Sequence, residues 1–343
     1  MTIEFGLDTF GDVTTSLDGS VLSQAQVLRN VLDEAILADS VGVQYFGIGE
    51  HHREDFAVSA PEVVLAAIAT RTKSLRLGSA VTVLSSDDPV RVFQRFATLD
   101  ALSGGRAEVT LGRGSFTESF PLFGFQLADY EVLFEERLNL FSELLKQQPV
   151  TWTGTTRSAL SDQMVYPLTE SGHLRTWVGV GGSQESVIRA ASYGFPLVMA
   201  IIGGSPARFR PLVDLYARAL AHYGQAPQMV GVHSPGYIGE TDKQALAELW
   251  PHMQQMRNRI GRERGWPPIS PEEFEQSCGP DGSWYVGSAE TVANKIASTI
   301  RTLGLSRFDL KYSVGSMPHE LLLGSIERYG TAVIPQVRAL LSE

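Results

Sequence analysis

The feature that most constrains this chain is an alternation of short apolar strands with amphipathic helices, repeated along its whole length. In the first unit, residues 3–10 alternate apolar and polar positions as a strand does, and residues 23–40 place their apolar residues on one helical face. Gly42 ends that helix, and a second strand follows over 43–48. The later stretch 75–84 is almost continuously apolar, which is typical of parallel strands covered on both faces. The sequence therefore predicts a parallel α/β fold.

The number of units distinguishes between two parallel architectures. The predicted strands are residues 3–10, 43–48, 75–84, 107–111, 176–180, 197–202, 229–238 and 308–312. Eight strand–helix units within 343 residues favour a closed (β/α)8 TIM barrel, and an open doubly wound sheet is the alternative. We expect one domain over residues 1–343 with two insertions. The insertion at about 149–171 is predicted to contain a hairpin, and the one at about 265–287 is predicted to be a loop.

Charge and composition exclude several classes of protein. The chain has 28 Lys and Arg against 38 Asp and Glu, a net charge of −10, and no basic stripe, so we expect no nucleic-acid partner. No apolar run approaches the roughly 20 residues that a membrane helix needs, and the N-terminus does not resemble a secretory signal. The single cysteine, Cys278, excludes an internal disulfide and fits a reducing compartment. We therefore expect a cytoplasmic protein without membrane contact.

A group of ionisable residues follows the second predicted strand. In a barrel the active site lies at the carboxyl ends of the strands, and Glu50, His51 and His52 come directly after the strand 43–48. Histidine titrates near neutral pH and suits general acid/base catalysis. A metal site is disfavoured, because adjacent side chains point to different sides and no ligand motif accompanies the histidines. A purely structural turn explains the same residues about equally well.

Two further strand ends have the composition of an anion site. Arg113 lies between Gly112 and Gly114, and its guanidinium group suits a phosphate or a carboxylate. Gly182 precedes Ser183, where a helix is predicted to begin, and the amides of a helix N-terminus bind anions. A surface arginine in a turn and a simple helix N-cap are the alternatives. The sharper hypothesis is that both strand ends converge on one phosphate.

The remaining histidines and several aromatic residues carry no motif. We interpret the histidines as structural or surface residues: His173, His222, His233, His252 and His319. Five aromatic residues could line an apolar pocket, although aromatic side chains more often belong to the core: Phe116, Phe120, Phe123, Trp284 and Tyr285. The sequence contains no nucleophile elbow and no P-loop, so it does not predict a hydrolase.

Four segments, in their order and spacing, give the chain a specific resemblance. They are residues 47–52, 77–91, 99–115 and 177–186. On these segments the chain resembles the luciferase-like flavin-dependent monooxygenases, the class of bacterial luciferase and the alkanesulfonate monooxygenases. The resemblance extends over nearly the whole chain and implies a (β/α)8 barrel that binds FMN at the carboxyl ends of its strands. It also implies a homodimer formed through the helices predicted at 60–71 and 89–102.

The resemblance further implies roles for particular residues. His51 matches the catalytic histidine of the family, and Ala80-Val81 matches a non-proline cis peptide bond beneath the flavin ring. The phosphate-binding positions are matched by Arg113, Gly182, Ser183 and Ser186, and Gly114 completes the predicted cofactor site. Luciferase has an acidic residue where this chain has Gly182, so we expect the phosphate contacts to differ in detail.

The implied reaction uses reduced FMN, supplied by a separate reductase, and O2. A C4a-peroxyflavin would then oxygenate a small organic substrate, which the sequence leaves open. Two other functions stay open: deazaflavin-dependent hydride transfer in the same fold, and flavin binding without turnover. The deazaflavin group more often has Asp-His where this chain has Glu50, His51 and His52. The presence of both His51 and Arg113 argues against a protein without turnover.

Overall fold

The computed structural model describes residues 3–114 and 116–342, and in it eight parallel strands close into a barrel. Each strand pairs with the next along the chain, and the last pairs with the first, so the predicted (β/α)8 TIM barrel is confirmed and the open sheet is excluded. The barrel strands are β1 (Glu4–Thr9), β2 (Tyr45–Ile48), β3 (Arg76–Ser79), β4 (Ala107–Gly112), β5 (Arg175–Val180), β6 (Leu197–Ala200), β7 (Val230–Ile238) and β8 (Arg307–Lys311).

Helices cover the outside of the barrel. They are α1 (Gln24–Ser40), α2 (Pro61–Ala69), α3 (Pro89–Ser103), α4 (Ser119–Leu122), α5 (Tyr130–Leu144), α6 (Gln184–Ser192), α7 (Arg210–His222), α8 (Asp242–Arg264), α9 (Pro271–Cys278), α10 (Ala289–Leu303), α11 (His319–Arg328) and α12 (Ile334–Ser342). Local chemistry sets their ends. The Asp88 side chain caps α3, Pro89 occupies its first position, and Gly104 ends it at a φ of 65°. No helix within the described ranges is both long and apolar enough to cross a membrane.

The two insertions differ from each other. The first contains the predicted hairpin, in which Val150–Trp152 pairs antiparallel with Leu160–Gln163. The prediction that residues 265–287 are a loop is wrong in part, because this segment holds α9 and a strand, Tyr285–Gly287, that pairs with β7. The reason lies in Ser270, whose side chain caps α9 immediately before Pro271 and starts a helix within the proline-rich stretch.

The predicted strand 75–84 is interrupted. β3 ends at Ser79, and the chain pairs again at Thr82–Val83, now beside β4. The peptide bond between Ala80 and Val81 is cis and occupies the gap. Ser115, which follows β4 in the sequence, lies outside the described residues.

The barrel interior changes in character along its axis. Towards the amino ends of the strands, buried Arg307 donates to Glu108 and, through Nε at 2.8 Å, to Asp309, and its guanidinium stacks on the Tyr45 ring. Towards the carboxyl ends, glycines such as Gly112 take the inward positions. A buried charge is tolerated only when it is paired, so the lower barrel is filled and neutralised.

Candidate active site

His51 lies at the barrel mouth, directly after β2, in an aromatic enclosure. Its ring packs against Phe10, Phe56 and Phe116 at centroid distances of 4.9, 4.5 and 4.9 Å. Its Nδ1 is 3.2 Å from Oε1 of Glu118. Burial opposes ionisation of Glu118, but this hydrogen bond and the nearby amides hold its pKa below the usual value. Because an ionised carboxylate can only accept, Nδ1 carries the proton and Nε2 is available for acid/base work.

Glu50 and His52 are held by different contacts from those of His51. Oε1 of Glu50 accepts from the backbone N of Val83 at 3.0 Å, and burial, the main cause, raises the Glu50 pKa to about 8. The His52 ring packs edge-on against Phe123 at 5.0 Å, and burial lowers its pKa. Glu50 therefore fixes the chain just after the cis peptide bond.

Ala80 and Val81 form a step at the barrel mouth that three glycines make possible. A Cβ at Gly47 would lie 3.0 Å from the Ala80 side chain, and Cβ atoms at Gly112 and Gly179 would lie 2.4 and 3.0 Å from that of Val81. Only glycine permits such close approach without displacement. Both residues of the step are partly exposed, so they present a low apolar surface at the mouth.

Arg113 and the start of α6 meet, as the anion-site hypothesis requires. Nη2 of Arg113 donates to Oγ of Ser186 at 3.0 Å. Ser183 is the N-cap of α6, and its Oγ accepts from the Ser186 backbone N at 3.2 Å and lies 2.8 Å from the Ser186 Oγ. Gly182 has a φ of 113°, which favours glycine, just before this cap. A guanidinium, two hydroxyls and a helix N-terminus are thus brought together.

An exposed carboxylate currently balances this positive site. Glu131 pairs with Arg113 and, at 3.1 Å, with Arg189, while its own side chain is 63% exposed. The Arg113 guanidinium also lies 5.1 Å from the Tyr130 ring, whose hydroxyl donates to the carbonyl of Gly114 at 2.9 Å. The donor set fits a phosphate, and the step at Ala80-Val81 fits a flat ring. Together these residues fit the two ends of FMN.

The structure also shows functional candidates that the sequence interpretation missed. Nδ1 of His233, on β7, lies 2.7 Å from Oδ2 of the buried Asp8 on β1. His233 is therefore an inward-facing residue of the barrel. Of its interpretation as a structural or surface residue, only the surface alternative is wrong. Nζ of Lys311 donates to Asp12 at 2.9 Å near the same place. The available signal was a histidine in the middle of a buried strand, which an apolar core does not require.

The aromatic residues considered as pocket lining fall into two groups. Phe116 and Phe123 contact His51 and His52, as described above, and Phe120 is buried against Tyr130. Trp284 and Tyr285 lie elsewhere. The Tyr285 hydroxyl is 2.7 Å from that of Thr299 on α10. Trp284 and Tyr285 therefore belong to the packing outside the barrel.

Comparison with known proteins places this geometry in a family. The sequence profile of the luciferase-like monooxygenases matches residues 5–307, and the chain belongs to this family. An N-acetyl-S-alkylcysteine monooxygenase from Bacillus subtilis (strain 168) is 30% identical over 192 residues, which are 54% of each chain. A 4-hydroxyprotoasukamycin monooxygenase from Streptomyces nodosus subsp. asukaensis is 34% identical over 35% of this chain and 33% of its own. The matched regions thus span only about a third to a half of these relatives.

Solved structures share the fold over nearly the whole chain. The monooxygenase RslO1 from Streptomyces bottropensis has a TM-score of 0.83 at 22% identity and covers 97% of this chain and 99% of its own. The oxygenating constituent of 3,6-diketocamphane monooxygenase from Pseudomonas putida, in complex with FMN, has a TM-score of 0.77 at 20% identity, with 98% and 99% covered. An F420-dependent secondary alcohol dehydrogenase has a TM-score of 0.75 at 17% identity, with 98% and 100% covered. At these identities the likeness shows the fold.

Proposed function

We propose that this protein is an FMN-dependent monooxygenase that uses reduced FMN and O2 to oxygenate a small organic substrate. The observation that carries the proposal is the contact between Arg113 and Ser186. It joins the end of β4 to the start of α6 and creates an anion site on the same rim as the Ala80-Val81 step. In this proposal Arg113, Ser183 and Ser186 bind the flavin phosphate, with Gly114 and Gly182 shaping the chain beside it.

His51 is proposed as the catalytic acid/base at the flavin ring. When bound, reduced FMN would supply the activation of O2, through the C4a-peroxide that the family resemblance implies. His51 would exchange a proton through Nε2 while Glu118 orients the ring through Nδ1. The aromatic enclosure of His51 would keep water from the reacting centre. Family membership and an FMN complex among proteins of the same fold support this proposal.

A deazaflavin-dependent hydride transfer is the second candidate. A solved structure with the same fold carries an F420–acetone adduct, which favours this alternative. A flavin-binding protein without turnover is disfavoured, because the His51–Glu118 pair has no role in such a protein.

We further propose a cytoplasmic homodimer that receives reduced flavin from a separate reductase. The dimer would form through α2 and α3, where Val63 is 70% and Leu102 57% exposed. Exposed apolar residues on neighbouring helices are suited to an interface between subunits.

The cofactor is tested by calorimetric titration of the protein with FMN and with F420, in oxidised and reduced forms. Tighter binding of FMN supports the monooxygenase, whereas binding of F420 alone supports the hydride-transfer alternative. The reaction is tested by mixing the reduced FMN-loaded protein with O2 and following the flavin absorbance. We expect a transient peroxyflavin spectrum in the wild type. Direct reoxidation at the rate of free flavin would contradict the proposal.

A further inference from the structure

A second histidine–carboxylate pair lies in the barrel beside the first. The Phe10 ring packs edge-on against His51 at 4.9 Å and nearly parallel to His233 at 6.1 Å. The first histidine is bound to Glu118 and the second to Asp8. Two imidazoles, each oriented by its own carboxylate, therefore pack against one phenylalanine.

Strand alternation shows that His233 and Asp8 both point into the barrel. A Cβ at Gly231, two residues before His233 on β7, would lie within 3.6 Å of the Arg307 and Trp177 side chains of the interior. A Cβ at Gly6, two residues before Asp8 on β1, would collide with the carboxylate of Asp309. Because side chains repeat direction every second residue, the pair faces the lumen towards the carboxyl end.

The hydrogen bond determines which nitrogen of His233 is free. Asp8 is 1% exposed, and its Oδ2 lies 2.7 Å from Nδ1 of His233, so the proton resides on Nδ1. Oδ1 of Asp8 is buried and has no hydrogen-bond partner among the described residues. Nδ1 of His233 is bound to Asp8 and the side chain remains 14% exposed, so Nε2 is the ring nitrogen left for a ligand.

The charges around the pair favour a protonated imidazole. Burial opposes the charged form of His233, but the neighbouring Asp8 carboxylate outweighs it, and the His233 pKa is raised. Lys311 and Asp309 on β8 also face the ring, the first lowering and the second raising this pKa. Lys311 is itself paired with Asp12, which limits its repulsion of His233. Because both nitrogens of a protonated imidazole carry a proton and Nδ1 is bound to Asp8, the protonated form leaves Nε2 to donate a hydrogen bond.

We propose that His233, positioned by Asp8, binds an accepting oxygen of the substrate, a carbonyl or a carboxylate, beside Phe10 and close to His51. The inference rests on the proposed function and specifies the substrate class of that site. It excludes purely hydrocarbon substrates, which offer no acceptor and would leave the Nε2 hydrogen of His233 without a hydrogen bond.

The test uses the full-length protein loaded with FMN and labelled with ¹⁵N in its histidines. The probes are cyclohexanone and cyclohexanecarboxylate, with methylcyclohexane as the matched hydrocarbon. We expect the first two to shift the Nε2 resonance of His233 and the third to leave it unchanged. A charge-assisted hydrogen bond is worth about 1.5–3 kcal/mol, so His233→Leu should bind the first two probes roughly 10- to 100-fold more weakly.

Two further variants separate a binding role from a structural one. His233→Gln keeps a donor near the Nε2 position and should recover part of the probe affinity. Asp8→Asn should lower the His233 pKa measured by NMR and move the pH profile of probe binding to lower pH. His173→Gln, at an exposed histidine, should change nothing.

The outcomes distinguish this inference from the proposed function. If wild type binds FMN but neither oxygen-bearing probe shifts His233, or if His233→Leu binds both probes as wild type does, the inference is overturned. If wild type does not bind FMN at all, the proposed function fails instead. Circular dichroism confirms that each variant is folded.

Discussion

The Arg113 guanidinium makes one contact that a bound phosphate would keep and one that it would replace. Ser186 holds it towards the start of α6, while Glu131 occupies its outer side from a largely exposed position. A surface ion pair of this kind contributes little stability, so exchange of Glu131 for a phosphate costs little. Substitution of Arg113 should therefore weaken the binding of the FMN phosphate and leave the binding of the flavin ring unchanged.

Replacing Arg113 by Met should weaken the binding of FMN but not that of riboflavin, which lacks the phosphate. The lost charge-assisted hydrogen bonds are worth about 1.5–3 kcal/mol, which corresponds to a roughly 10- to 100-fold increase in the FMN dissociation constant. Fluorescence titration with both flavins measures the effect, and Arg210→Met, at an exposed residue of α7, is the control. Equal weakening of FMN and riboflavin would argue against a phosphate contact.

The buried Glu50 carboxyl should make the stability of the protein depend on pH. Its pKa is about 8 when folded, against 4.5 for an ordinary glutamate, so between these values only the unfolded chain ionises there. Its stabilising contribution is complete below pH 4.5 and is lost as the pH rises towards 8. Glu50→Gln does not titrate and should gain stability relative to wild type over this interval, by at most about 1.4 kcal/mol per pH unit.

Urea unfolding of wild type and Glu50→Gln at several pH values between 5 and 9 measures this difference. Glu54→Gln is the control, because that side chain is 86% exposed. A constant difference between Glu50→Gln and wild type across the range would contradict the raised pKa.

For single residues, the sequence predicts a functional position only where neighbouring residues in the chain indicate it. His51 and Arg113 stand directly after strands and beside glycines, so their positions are readable in the chain. The role of His233 depends on Asp8, 225 residues away, and only the closed barrel brings the two together. The role of Glu118 is likewise not predictable from the sequence, because a glutamate beside a helix belongs to no motif.

Glycines on three strands shape the barrel mouth around the Ala80-Val81 step. Inward-facing glycines on β2, β4 and β5 make room for the side chains of the Ala80-Val81 step. A larger residue at any of them would push the step outward, since a packed interior does not absorb an extra methyl group without a shift.

Gly112→Ala should therefore disturb the step specifically. Its Cβ would lie 2.4 Å from the Val81 side chain, and overpacking of this kind costs about 1–3 kcal/mol. We expect a lower unfolding free energy and weaker binding of both FMN and riboflavin. Gly203→Ala is the matched control, because a Cβ there meets no atom within 4 Å. Similar behaviour of the two variants would show that the step does not depend on Gly112.

Element boundaries were predictable where capping residues and periodicity agree. Asp88, Pro89 and Gly104 define α3 in the sequence as they do in the structure. α9 was not predicted, because the prolines and glycines around it indicate a loop more strongly than Ser270 indicates a helix start. The interruption of the strand at residues 80–81 has no propensity signal at all, and only the family resemblance indicated it.

Across the whole molecule, a buried network of charges connects opposite walls of the barrel. Arg307 on β8 is 1% exposed and pairs with Glu108 on β4 and Asp309 on its own strand. Removal of one partner from a buried pair leaves an uncompensated charge. The network therefore holds the closed barrel together below the site.

Arg307→Met should lower the unfolding free energy by about 3–5 kcal/mol, because Asp309 would lose its cation and Glu108 would keep only the longer pair with Arg175, at 3.4 Å. Lys146→Ala is the control, since it removes an exposed pair with Glu143, three residues earlier, which is worth less than about 0.5 kcal/mol. Chemical denaturation followed by circular dichroism measures both. A loss below 1 kcal/mol for Arg307→Met would contradict this role.

The architecture was predictable from the repeat alone, because eight strand–helix units in this length fit a closed barrel. The charged interior was not predictable, since strands β1, β4 and β8 each contain charges whose direction is known only once register and closure are fixed. The same closure determines which strand ends become neighbours, and so places Arg113 beside Ser186.

The crystal structure of the protein with FMN tests the central claim most directly. We predict that the phosphate contacts Arg113 and Ser186, that Glu131 moves away, and that the ring lies on the Ala80-Val81 step beside His51. An FMN molecule bound elsewhere, or with its phosphate away from Arg113, would contradict the account.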